Sequence, residues 1–176
     1  MLKAWNYLGN KSLLFNSTIN TSPLTILPQF VDEPVFLLSI DDEISCCPNI
    51  RTHRGFKLVS HPGLNKQLSC AYHGRRFNLD GEVEFMPEFK EVENFPRPCD
   101  HLQKIPLKEW NGHLFASFDP AISFSGISKI LYNYIGFYDF RALRHSPDYN
   151  EEYTVNANWA LYIDNYMEGF HIPFCK

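Results

Sequence analysis

Cys70-Ala71-Tyr72-His73-Gly74 sets a thiol and an imidazole three residues apart, close enough for one loop to present both to a single metal ion. Upstream of Cys70, with sixteen residues between, stands a second imidazole, His53, within Arg51-Thr52-His53-Arg54-Gly55. Glycine follows His73 directly and His53 after one residue, which suits tight loops wrapped around a buried group. A structural zinc site and three unrelated residues are the plainer readings of the same spacing. A second set lies near the end of the chain, in Asn158 to His171. On a helix, Asp164, Glu168 and His171 fall at i, i+4 and i+7 and share one face. Carboxylates beside an imidazole on an otherwise apolar helix cost desolvation unless they serve a metal or a hydrogen-bonded network. By itself that pattern also reads as a solvated polar stripe.

The elements that would position these residues are mostly short strands. Pro34-Val35-Phe36-Leu37-Leu38-Ser39-Ile40 is an apolar run of strand length, Asp41-Asp42 a turn, and Ile44-Ser45-Cys46-Cys47 a second strand, so a hairpin is expected. Further strands are predicted at Gln67–Ala71, at Arg76–Asn78 before the turn Asp80-Gly81, and at His113–Phe118. Twelve prolines and nine glycines punctuate the chain, as a small antiparallel β domain over residues 25–120 requires. Residues 1–24 are a leading segment, with a short helix expected over 1–15 carrying Trp5 and Leu8 on one side. After Pro120 the texture changes. Glu152–Val155 is predicted as a strand and Asn158–Phe170 as a helix, so residues 121–176 read as the start of a second domain too short to close its own core.

Composition narrows the function classes. Apolar residues make up 44% of the 176, enough for a real core. The net charge of −4 offers no basic footprint for nucleic acid and no cluster for an anionic membrane. The first fifteen residues are too polar for a secretory signal and no window reaches membrane-span length, so a cytoplasmic protein is expected. Five cysteines, an odd number, argue for reduced thiols rather than a disulfide framework.

The pair THRG and CAYHGRRFNLDG resembles the paired loops of Rieske-type non-haem iron oxygenases, the aromatic-ring-hydroxylating dioxygenase alpha-subunit family. A Rieske [2Fe–2S] cluster carries two Cys on one iron and two His on the other, which raises its potential to roughly −150 to +300 mV. The resemblance implies that His53, Cys70 and His73 are cluster ligands. The first Cys of the pattern belongs at position 51, where this chain has Arg51, a cation without a lone pair to donate. Cys47 is the nearest alternative thiol, four residues away across Pro48; packing as a small apolar strand residue is its other reading.

Asn158-Trp159 followed by Asp164-Asn165-Tyr166-Met167-Glu168-Gly169-Phe170-His171-Ile172-Pro173-Phe174 is similar to the helix that opens the mononuclear iron site of the same family. It implies His171 as one ligand of a 2-His-1-carboxylate Fe(II) site and Glu168 as the acidic bridge between cluster and iron. The second His belongs at position 176, where this chain has Lys176. The variant also resembles the choline and other quaternary-ammonium monooxygenase branch. The family implies an α+β fold, with a small antiparallel β Rieske domain followed by the truncated start of a helix-grip catalytic domain. It implies a homotrimer in which electrons from an NAD(P)H-dependent reductase or ferredoxin reach Fe(II) for O2-dependent hydroxylation or demethylation of a small organic substrate. The alternatives are a non-catalytic truncated or degenerate Rieske-domain protein and a simple metal-binding or electron-transfer module.

Overall fold

In a computed structural model of the chain, residues 4–26, 32–49, 56–143, 148, 151 and 153–168 are described. The chain divides into two compact units, Met1–Leu143 and Arg144–Lys176.

The first unit is built from three antiparallel, three-stranded sheets. The middle sheet comprises β2 (Thr21–Ile26), β3 (Glu33–Ile40) and β4 (Glu43–Pro48), with β3 at its centre. The β3–β4 hairpin is the expected one. Asp41 and Asp42 take φ of 48° and 67°, the positive pair that a two-residue hairpin turn needs to match strand twist. Because side chains alternate across a strand, β3 sends Val35 and Leu37 to one core cluster and Phe36 and Leu38 to another. Both faces of the middle sheet are covered, and that is why its central strand is apolar without interruption.

One of those clusters joins the middle sheet to the sheet of β1 (Asn6–Asn10), β8 (Leu107–Trp110) and β9 (His113–Ala116), through Ile105, Leu114 and Ala116. Asn111-Gly112, with φ of 48° and 83°, turns β8 into β9. The other cluster joins it to the sheet of β5 (Leu68–Ser69), β6 (Arg76–Phe77) and β7 (Val83–Phe85), through Leu68 and Phe77.

The expected helix over residues 1–15 is corrected. Asn6–Asn10 is strand β1, paired with β9, and only Lys11–Leu14 (α1) is helical. A pairing about a hundred residues distant in sequence overrides the local pattern. Helix α2 (Phe124–Ile135) begins after Ser123 and ends at Gly136; Phe124 alone on it is buried. In the second unit the expected strand at 152–155 is absent among the described residues: Tyr153–Val155 are irregular and exposed. The expected helix is present as α3 (Trp159–Glu168), with Asn158 Oδ1 accepting from Ala160 N at 2.9 Å as its cap. No helix among the described residues is long and apolar enough to cross a membrane.

Candidate metal centre

Hairpin β5–β6 carries the second of the two loops. Leu68 pairs with Phe77 and Ser69 with Arg76, and both Leu68 and Phe77 are buried in the core. Between the strands, Cys70 N donates to Arg75 O at 2.9 Å and Gly74 N donates to Cys70 O at 2.9 Å, closing a six-residue turn by backbone bonds. Gly74 takes φ +68°, and a Cβ there would lie 3.3 Å from Pro87 Cγ, so the turn uses the one residue free of both penalties. Cys70 is 1% exposed, and His73 is partly buried with the Tyr72 ring 4.1 Å away. The thiol and imidazole thus leave one rigid turn, as the C-x-x-H spacing requires.

Behind that turn sits a charge pair that composition does not reveal. Arg75, only 8% exposed, places its Nη2 3.8 Å from Asp100 Oδ1 and its guanidinium 5.5 Å above the Phe95 ring. Asp100 also accepts from Arg97 N at 2.9 Å, the bond that chiefly holds its carboxyl below the usual carboxylate range. The pair ties the metal-type turn to the 3-10 turn Pro98–Asp100.

The first loop leaves the end of β4 and returns at Leu58-Val59. Arg51 and His53 lie outside the described residues, as do His171 and Lys176. What the structure does show is how this loop is closed. Asn49, 1% exposed, accepts from Leu58 N at 3.0 Å and Val59 N at 2.9 Å through Oδ1. Its Nδ2 donates to Val59 O at 2.7 Å. Phe56, at the returning end, stacks on Tyr72 with centroids 5.8 Å apart and planes 16° from parallel. Loop ends from distant parts of the sequence are therefore brought side by side. Asn49 escaped the sequence reading because an Asn after a strand-ending Pro signals only a turn.

Cys47 cannot stand in at position 51. It lies on β4 opposite Phe36 and packs in the cluster of Phe36, Leu38, Val59, Leu68 and Phe77. Its neighbour Cys46 packs in the opposite cluster. Burial pushes the Cys46 thiol up to about 12 and the Cys47 thiol up to about 11, so both stay protonated and poor metal ligands at neutral pH. Two other histidines are engaged in the framework: His101 Nδ1 accepts from Val83 N at 3.0 Å, and His113 Nδ1 lies 3.0 Å from the Tyr7 hydroxyl. Among the described residues no group of three His, Cys, Asp or Glu is gathered for a metal.

The donor chemistry can now be tested against a [2Fe–2S] cluster. Cys70 and His73 fit one half of the ligand set, and His53 is a second imidazole by residue type. A Rieske cluster takes two thiolates, and Arg51 supplies none. With Cys46 and Cys47 held in the cores, the set is one thiolate short, and a complete Rieske cluster does not fit the residues present. Glu168 ends α3, one turn beyond Asp164.

The Rieske [2Fe-2S] domain family matches residues 19–96. The carnitine monooxygenase oxygenase subunit of Acinetobacter baumannii is 27% identical over 78% of this chain and 38% of its own length. Choline monooxygenase of Beta vulgaris is 25% identical over 79% of this chain and 33% of its own. The chain spans less than half the length of these curated relatives. In fold, a quaternary ammonium Rieske monooxygenase, CntA, in complex with gamma-butyrobetaine superposes with a TM-score of 0.69. It does so at 22% identity, over 97% of this chain and 49% of that one. Naphthalene 1,2-dioxygenase superposes with a TM-score of 0.56 at 25% identity, over 69% of this chain and 27% of its own. With an α+β fold of small antiparallel sheets and the Cys70–His73 turn in place, residues 19–96 match a Rieske [2Fe-2S] domain, and the chain as a whole is similar to Rieske-type oxygenases.

Proposed function

We propose that the chain corresponds to the N-terminal, electron-relay portion of an oxygenase alpha subunit acting on a small organic substrate. The observation that carries this reading is the backbone-closed turn presenting buried Cys70 with His73 on a Rieske fold. In oxygenases of this class, electrons from an NAD(P)H-dependent reductase or ferredoxin pass through a [2Fe–2S] cluster to a mononuclear Fe(II) that activates O2 for hydroxylation or demethylation. On this reading His53, Cys70 and His73 are the cluster ligands, Glu168 links the two centres, and His171 binds the iron. Residues 25–120 are the relay domain, and residues 121–176 open the catalytic one. The protein is a cytoplasmic homotrimer. Similarity to carnitine and choline monooxygenases favours a quaternary ammonium substrate.

In the chain as it stands, position 51 lacks the thiolate that a Rieske cluster between these loops requires. The test is iron and acid-labile sulfide content, visible absorbance and EPR of the protein before and after Arg51→Cys. The expected outcome is no Rieske signal from the unsubstituted chain and a brown, EPR-active protein on substitution. A folded Arg51→Cys protein that takes up no cluster would overturn the assignment of the loops.

Arg51 and Lys176 together favour a second reading, a non-catalytic protein that keeps the Rieske fold. An open frame downstream that encodes the rest of a catalytic domain would count against it. Uptake of equimolar zinc without iron would instead indicate a simple metal-binding module.

A further inference from the structure

We propose that the cavity where α1, the β3–β4 turn and the β8–β9 turn meet is a binding site for a neutral polyhydroxylated ligand of monosaccharide size. The cavity lies wholly within the first unit and uses none of the metal-type residues, so this site and the metal reading stand or fall separately.

The cavity measures about 440 Å³, within the roughly 300–1,000 Å³ of small-molecule sites. Its walls come from stretches distant in sequence that backbone bonds hold together. Lys11 N donates to Gly112 O at 2.7 Å, and Ser39 N donates to Asn20 O at 2.8 Å. Asn20 is fixed in turn by Asn65: its Nδ2 donates to Asn65 O and its Oδ1 accepts from Asn65 N, both at 2.8 Å. These ties pre-form the cavity, which lowers the ordering cost of binding.

The wall is rich in donors. Asn10 Oδ1 accepts from Ser12 N at 3.0 Å and Ser12 Oγ at 2.8 Å, and Asn16 Oδ1 accepts from Thr18 N and Thr18 Oγ1, both at 2.8 Å. Those bonds fix which end of each carboxamide is oxygen. They leave two NH2 groups that have no partner among the described residues, each with two N–H bonds to give. Ser39 adds a hydroxyl, Asp42 a carboxylate, and Lys11 an ammonium whose Nζ also donates to Asp42 O at 3.3 Å. Phe15 and Ile19 supply the apolar part of the wall, Phe15 being packed on its other side against the core.

This mixture selects hydroxyls. The one ammonium and the one carboxylate of the lining cancel, so a net charge on the ligand gains little. Lys11 is further balanced by Glu109, 4.0 Å away. A hydroxyl both donates and accepts, and therefore pairs with an amide N–H or with the Asp42 carboxylate equally well. A sugar ring carries such hydroxyls around its edge and presents a C–H face that suits Phe15 and Ile19.

The test is titration of the ¹⁵N-labelled full chain with D-glucose, D-galactose and D-mannose, followed by amide chemical shifts. At least one hexose should shift the amides of Lys11, Asn16, Asp42 and Gly112 saturably while those of Leu68 and Phe77 stay in place. Lys11→Met and Asp42→Asn keep side-chain size and should each weaken that binding by about tenfold. Asparagine is at home at the positive φ of Asp42, so the turn survives the second substitution. Should Lys11→Met not fold, Asp42→Asn decides alone. Silence with all three hexoses would overturn the proposal, as would unchanged affinity in either folded variant. Saturable shifts with acetate, tetramethylammonium or L-alanine and none with the hexoses would overturn it too.

Discussion

The described ends of the two metal-type loops are held by different means. The second, Cys70 to Arg75, is closed by backbone bonds inside a hairpin, with glycine at the one position of positive φ. Among the described residues, the ends of the first are joined by the buried side chain of Asn49. Backbone closure depends little on which side chains the turn carries, so residue identity there is free to serve ligation. Side-chain closure concentrates the geometry of a whole loop in one amide group. The loop with Arg51 where the pattern expects a thiolate is also the one whose described ends are joined through a side chain.

That contrast can be broken or sharpened in order of effect. Alkali should act most strongly, and on the side of the first loop, because Cys46 and Cys47 both lie on the strand leading into it. Their thiols are raised from an ordinary 9.0 to about 12 and about 11, so the folded state holds those protons more tightly than the unfolded one. Their contribution is intact below pH 9 and is lost as pH rises through that window, on the order of 4 kcal/mol for Cys46. Urea midpoints between pH 8 and 11 should fall, and fall less in Cys46→Ala measured against its own value at pH 8.

Next comes Asn49→Ala, which strands the buried N–H and carbonyl of Val59 and the part-buried N–H of Leu58. At about 1 kcal/mol for each lost bond it should cost about 3 kcal/mol in urea unfolding at neutral pH. Gly74→Ala, in the backbone-closed loop, should cost about 1–2 kcal/mol, since its strain is confined to one residue and one contact with Pro87. A Gly74→Ala loss as large as that of Asn49→Ala would erase the contrast between the loops. Asp100→Asn should have the smallest effect on stability. The depressed carboxyl of Asp100 contributes above the usual carboxylate range and loses that contribution as pH falls through it. The substitution should therefore lower the melting temperature slightly at neutral pH and flatten the acid limb, the two profiles converging as pH falls.

A broader difference separates the strands of the first unit from the helices. Val35, Phe36, Leu37 and Leu38 of β3 are buried. On α2, Ile130, Tyr132 and Tyr134 are exposed, and on α3 so are Leu161, Tyr162 and Tyr166.

Several features were legible in the residues alone. The β3–β4 hairpin follows from an apolar run, two aspartates and a second run. The Cys70–His73 turn follows from a ligand spacing closed by glycine. Each is a local pattern whose partners lie within a few residues, where chain connectivity does the positioning. Strand β1 was not legible, because Asn-Tyr-Leu-Gly-Asn has no strand pattern and becomes a strand only by pairing with β9. Nor was the separation of Cys46 from Cys47, which adjacent positions cannot disclose until both faces of their sheet are covered. Sequence by itself determined the kind of domain and the missing thiolate at position 51, since a guanidinium cannot donate to iron in any fold. Tertiary structure alone decided that Cys46 and Cys47 are buried in separate cores and that Asn49 bonds the returning end of the loop. Burial and hydrogen-bond partners are properties of what the chain brings together, not of any residue taken singly.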